Sequence, residues 1–404
     1  MAGLGYGGIA CPGCTGPARA LVYDGAMPDA KPEAAPEATP ALTLAPQPAP
    51  GAQPAASTVS AHARRLPKVM LHEHLDGGLR VATLLDLLHQ RRLGAPADNA
   101  VDLEAWFEAR AHAGSLVEYL RGFELTVAAM ATPAAMQRVA FEAAEDAFDD
   151  GCVLAEFRIA PLLFEAFGVS GEAAVEALLQ GLQRAQAELG MPCGLIVCAM
   201  RHHPQAEIAR SAQLALRYSG QGVLAFDLAG PEAGYPAGDS ATVLRQVLDG
   251  GLPLTLHAGE ADVGARVQEA ARLGARRIGH GVRLVDLLGQ PGAADLLAEL
   301  KERRVHLEVC PTSNVHTGAA SSLAVHPIGA LWRAGVGLSF HTDNRLMSCT
   351  TMSAEAQGLH EQAGFSWGEL RQMGLAAAQA SFLPEPQRQQ ASAALLAWPL
   401  PGHA

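Results

Sequence analysis

The sequence predicts an α/β protein of the (β/α)8 TIM-type barrel class, with helices inserted between strands one and two and closing helices at the C-terminal end. Three observations carry this. Eight short apolar runs recur between residues 68 and 344, each followed by a helical stretch. Those stretches place apolar residues three and four apart, as helices burying one face do. Polar residues able to do chemistry cluster at the carboxyl ends of the runs, the end at which a barrel assembles its active site.

The chain opens with a different composition. Between Pro28 and Ala56 there are 8 prolines and 10 alanines. Each proline removes a backbone donor and fixes φ, so neither a ladder nor a long helix is expected. Residues 1–62 are read as a disordered Pro/Ala-rich extension and 63–404 as one barrel domain. Cys11 and Cys14 form a lone CxxC with no second half of a metal site nearby.

From residue 68 the runs are KVMLHEH (68–74), CVLAEFRIA (152–160), CGLIVCAMRH (193–202), GVLAFDLAG (222–230), LPLTLHAGE (252–260), RRIGHG (276–281), VHLEVCPTSN (305–314) and VGLSFHTDN (336–344). Nearly continuous apolar strands separated by helices predict a parallel sheet covered by helices, and eight such units predict a barrel. The interval between the first two runs spans 75–151 and holds four helical patterns, at 79–92, 102–111, 115–130 and 134–150. They are expected to wall one side of a pocket. Three further helical stretches after the eighth run close the chain.

The site residues follow from strand geometry. In His72-Glu73-His74 the period of two puts both imidazoles on one face. With His257 and Asp343 they make an N,N,N,O donor set that suits Zn²⁺ with one position open to water. Glu260, three residues after His257, fits proton transfer close to the metal but not on it. His280, in GHG, is read as a group orienting the water, with a fifth ligand as the alternative. Glu156 and Arg158 share a strand face and are expected in an internal ion pair or network. Cys310 is expected to be packed rather than nucleophilic.

Composition narrows the remaining classes. The 404 residues are 49% hydrophobic and 17% charged, with net charge −12, which argues against global disorder and against a uniformly basic nucleic-acid binder. No apolar stretch reaches 18 residues, so no membrane span is expected. Seven cysteines, an odd number, make a poor disulfide framework, and the chain reads as cytoplasmic. The sequence has no GxGxxG opening a βαβ unit, no GxxxxGK[ST] and no GxSxG.

Taken together, HxHLDG, FDLAGPE, HAGE, GHG, CPTSN and TDN, in that order across about 66–395, resemble the adenosine deaminase family of the metal-dependent amidohydrolase superfamily. The resemblance implies one zinc per chain held by His72, His74, His257 and Asp343. It implies that Glu260 protonates N1 of the purine and that His280 orients and helps activate the water. It also implies substrate contacts from His74, from Asp76 to the ribose, from the Gly230 N–H to N3, and from Asn344 to N7. Asn344 stands where many members have a second aspartate, and His341 where an asparagine is common. The implied reaction is deamination of adenosine and 2′-deoxyadenosine to the inosines with release of ammonia. The alternatives are another 6-aminopurine metabolite, such as adenine or aminodeoxyfutalosine, and a non-catalytic nucleoside-binding barrel. The expected partner is a small purine nucleoside, not nucleic acid or membrane; oligomeric state is left open.

Overall fold

The computed structural model describes residues 59–111 and 116–400, with the side chains of 116–121 excepted. The Pro/Ala-rich segment up to residue 58 and the Cys11/Cys14 pair lie outside the described residues. A short helix, Ala61–Arg65, crosses the boundary expected at 62/63. Its C-terminal carbonyls are held by the buried Lys68 ammonium, which donates to Ala63 O and Leu66 O at 2.8 Å and to Arg64 O at 3.2 Å.

All eight strands form: β1 Lys68–Met70, β2 Cys152–Ile159, β3 Cys193–Met200, β4 Val223–Ala229, β5 Thr255–Ala258, β6 Arg277–His280, β7 His306–Val309 and β8 Leu338–Phe340. They pair in parallel as two four-stranded sheets, β1-β2-β3-β4 and β5-β6-β7-β8. The sheets meet at both flanks. Phe226 N donates to Pro253 O at 3.1 Å beside β5, while His74 N donates to Asp343 O at 2.8 Å and Asp343 N to His72 O at 3.0 Å beyond β1 and β8. The TIM-type barrel class expected from the strand count therefore holds.

Several strands are shorter than the apolar runs implied. The run from 305 leaves the ladder after Val309, and Pro311 begins a helix, Pro311–His316. Proline's fixed φ and missing N–H suit the first helical position. The two histidines of the first run lie past β1: His72 is in no bridge, and His74 pairs singly with Arg158 beside a bridge of Glu73 with Asp343.

The inserted helices are Val81–Gln90, Ala100–Ala111, Leu116–Met130 and Pro133–Asp149; the closing helices are Met352–Glu361, Trp367–Ala380 and Glu385–Ala397. Val69 and Leu71 turn outward into a cluster with Ala377, Ala378, Ala391 and Leu395 of the closing helices. The alternate positions on that run, Met70 and His72, turn inward, so period two sorts packing from chemistry along one segment. Among the described residues no helix is long and apolar enough to cross a membrane.

Beneath the rim lies a fully buried ion network. Arg158 donates to Asp227 at 2.7 Å and to Glu308 at 2.6 Å; Arg277 donates to Glu308 at 2.5 Å and to Glu156 at 2.7 Å. Glu156 and Arg158 thus share a network without pairing with each other. Thr255 adds a 3.0 Å bond to Glu308, and Ser381 and Phe382 N hold the far side of Glu156. Burial disfavours the charged form of Glu308, but Arg158 and Arg277 outweigh it and hold the carboxyl well below the usual range.

Candidate active site

At the carboxyl ends of β5, β6 and the β1 and β8 extensions, four imidazoles and a carboxylate converge. Donor atoms of His72, His257, His280 and Asp343 all lie within 4.8 Å of one another. His74 adjoins this group: its Nε2 is 3.3 Å from Nε2 of His257 and 3.6 Å from Asp343 Oδ1. The sequence-derived ligands are therefore together. The tightest quartet, however, contains His280 in place of His74.

Hydrogen bonds behind the rings decide which nitrogens face inward. His72 Nδ1 is 2.9 Å from Glu308 Oε2, and His257 Nδ1 is 3.0 Å from Asp227 Oδ2. A carboxylate only accepts, so each Nδ1 carries the proton and each Nε2 presents a lone pair. The His72 Nε2 atom is buried and makes no hydrogen bond, although Asp343 Oδ1 stands 3.2 Å away. Two lone pairs brought so close repel unless a cation lies between them. This orphaned nitrogen, with the neighbouring imidazoles and carboxylate, fits a bound metal cofactor. Burial pushes the His74 pKa well below its ordinary value and so keeps its lone pair available.

The backbone is bent to serve this cluster. His280 and Asp343 adopt φ of 60° and 64°, left-handed conformations uncommon for residues with a side chain. Gly279 explains the first glycine of GHG, because a Cβ there would come within 2.9 Å of His72 Cε1 and 3.2 Å of His257 Cγ. Ser313 donates to the second oxygen of Asp343 at 2.6 Å.

Glu260 sits beside the cluster. Its Oε2 is 3.4 Å from His280 Nε2, and its Oε1 accepts from Asn314 at 3.0 Å and Thr317 at 2.9 Å. As placed, the Asn314 amide also meets His280 Nδ1 at 3.1 Å, which leaves Nε2 the protonated nitrogen of that ring. Asp76 is buried, with Oδ1 unpaired; burial, aided by the Asp343 charge, raises its pKa to about 7. Asn344 is buried against Gly77, where an added Cβ would strike its Oδ1 at 2.0 Å. Gly230, at φ 91°, ends β4 in a conformation that favours glycine.

Other residues take quieter places. His341 is buried and packs across the β8–β1 flank, accepting from Leu71 N at 3.1 Å and contacting Ser339 at 2.7 Å. Burial raises the Cys310 pKa well above the usual thiol range, and its Sγ contacts Glu308 O, as expected of a packed cysteine. Sequence reasoning missed Glu308, Asp227, Ser313, Asn314 and Thr317 as supporting groups. The visible signal for Glu308 was an acid in the middle of an apolar strand.

A barrel with carboxylate-backed histidines and an acid at its carboxyl rim belongs to the metal-dependent hydrolases in build. Comparison with known proteins makes this specific. The family pattern described as adenosine deaminase matches residues 67–398. An adenosine deaminase of Mycobacterium ulcerans is 42% identical over 338 residues, covering 80% of this chain and 92% of that protein. Among solved structures, the Arabidopsis protein ADAL complexed with GMP aligns with TM-score 0.71 at 26% identity, covering 82% of this chain and 97% of that one. An amidohydrolase from Burkholderia ambifaria with bound zinc aligns with TM-score 0.73 at 23% identity, covering 86% and 94%. The chain belongs to the adenosine deaminase family.

Proposed function

We propose that this chain hydrolyses adenosine and 2′-deoxyadenosine to inosine and 2′-deoxyinosine, releasing ammonia, with one zinc held by His72, His74, His257 and Asp343. The observation that carries this reading is the convergence of the unpaired His72 Nε2 and the neighbouring His74 and His257 imidazoles on Asp343, with Glu260 beside them. Zinc in such a donor set supplies Lewis acidity that makes water nucleophilic near neutral pH.

The chain's own groups do the rest. Glu260 gives a proton to N1, which makes C6 electrophilic. His280 orients the water for attack on C6. Of the water's two protons, one ends on the departing amine and the other replaces the proton that Glu260 gave to N1. Asn314 and Thr317 fix the Glu260 carboxyl in place. The Gly230 N–H donates to N3, the Asn344 amide donates to N7, and Asp76 accepts from the ribose. An amide donates at any pH, whereas an aspartate facing N7 would first have to be protonated.

A free nucleoside fits better than a monophosphate. The arginines at and below the rim are already engaged: Arg80 with Asp146 and Glu145, Arg345 with Glu73, the interior Arg158 with Asp227 and Glu308, and Arg201 with the carbonyls of Leu228 and His257. The five described cysteines are unpaired, which supports a cytoplasmic setting. The test is ammonia release by zinc-loaded protein from adenosine, 2′-deoxyadenosine, adenine and AMP, with Glu260→Gln as blank. Turnover of both nucleosides, absent in the variant, is expected; preference for AMP or adenine would overturn the substrate assignment.

A further inference from the structure

The loop after β5 carries Glu260, yet its conformation is set by a residue from another strand. Glu232 lies after β4, two residues beyond Gly230, and is 5% exposed. Its Oε1 accepts from Gly259 N at 2.5 Å; its Oε2 accepts from Glu260 N at 3.0 Å, Ala261 N at 3.0 Å and Asp262 N at 3.1 Å. One buried carboxylate thus takes four consecutive backbone donors, an anion nest closed by the protein's own side chain. At the ends of β4 and β5, buried Arg201 donates to Leu228 O at 2.9 Å and to His257 O at 2.5 Å. The Glu232 charge offsets part of the cost of burying that guanidinium.

We propose that Glu232 is a positioning residue that couples the β4 loop to the β5 loop and so sets Glu260 relative to Gly230. The proposal rests on the roles given above to Gly230 at N3 and Glu260 at N1. Those atoms lie on one rigid ring, so the donors that meet them need a fixed separation, and displacing either costs rate. Arg201 also bridges the β4 and β5 segments, through the carbonyls of Leu228, Tyr235 and His257, and Asn314 and Thr317 hold the Glu260 side chain, but it is Glu232 that takes the backbone N–H groups of the loop carrying Glu260. A glutamine cannot replace it. One of its two terminal atoms is a donor, so either the Gly259 N–H or the other three lose their acceptor.

The experiment compares wild type with Glu232→Gln, both zinc-loaded, by amide hydrogen exchange of the 255–263 segment and by steady-state kinetics on adenosine. Exchange at 259–262 is expected to be slow in the wild type and at least about tenfold faster in the variant. The variant's kcat is expected to fall about 10- to 100-fold, with KM within about threefold and zinc content unchanged. A lower melting temperature with intact kcat would make Glu232 merely structural and overturn the proposal. So would rapid exchange of these amides in folded wild type, a result that needs no variant. Should Glu232→Gln fail to fold, Glu232→Asp keeps the charge but falls a methylene short; full activity in that variant would also overturn it. Absence of adenosine turnover in the wild type would instead defeat the functional reading and leave the exchange result to judge the clamp alone.

Discussion

The barrel interior and its carboxyl rim both bury many charged or ionisable groups, and they treat them in opposite ways. In the interior, Glu156, Arg158, Asp227, Arg277 and Glu308 are each bonded to at least one partner of opposite charge. At the rim, lone pairs of His72 and Asp343 face each other without a proton between them, and Asp76 Oδ1 lacks a partner. Facing lone pairs are costly to bury, so a fold keeps them where a cation is to bind. Arg158 Nε and Arg277 Nη2 in the interior also lack a hydrogen-bond partner, but both guanidiniums are ion-paired, whereas at the rim two acceptors face each other with no cation of the protein's own between them.

The sharpest contrast should come from paired substitutions. Glu260→Gln at the rim is expected to lower kcat roughly 10³-fold while leaving zinc content and unfolding free energy unchanged, because it removes the proposed proton donor and little packing. Arg277→Met in the interior should do the reverse: a loss of about 3–5 kcal/mol in chemical denaturation, from stranding Glu156 and Glu308, with zinc stoichiometry kept. Glu308 belongs to both regions, since it backs His72 and pairs two arginines. Glu308→Gln should therefore weaken zinc affinity roughly 10- to 100-fold in a chelator competition and also destabilise the fold.

The pH dependence of stability should separate paired from unpaired acids. Glu355 is buried behind the Pro311–His316 helix, and burial raises its pKa to about 7 despite bonds from Thr312 N and Thr350. A carboxyl raised in the folded state stabilises fully at low pH and loses that contribution as pH rises toward and through about 7. Glu355→Gln should remove roughly 2–3 kcal/mol of this decline, read from unfolding curves between pH 4 and 8. Glu308 has the opposite sign: its contribution persists at neutral pH and is lost only in strong acid. The smallest effect is expected from deleting residues 1–58, which should leave kcat/KM within about twofold. Extending the cut through Leu66 would remove the carbonyls that bind Lys68, and should lower stability.

Much of the rim was legible in the sequence because each of its residues ends an apolar run, and a barrel turns that local position into a shared place. His72, His257, Asp343 and Glu260 are each recognisable from their own neighbours. The interior was not legible in the same way. Arg158 meets Asp227 across 69 residues, and His72 meets Glu308 across 236; no local pattern reports such pairings. Glu232 was visible in FDLAGPE, but its partners are backbone N–H groups, which every residue type except proline carries. Strand ends were overrun because the polar rim residues continue the extended chain after the ladder stops, as His72 and His74 do past Met70.

In the proposed arrangement one zinc is held by His72, His74, His257 and Asp343, with His280 beside the metal rather than on it. Zinc per chain, measured after dialysis of wild type, His74→Ala and His280→Ala, tests it most directly. One zinc in the wild type, one in His280→Ala and a marked loss in His74→Ala is the predicted result. Retention in His74→Ala with loss in His280→Ala would make the tighter quartet the true ligand set and contradict the assignment.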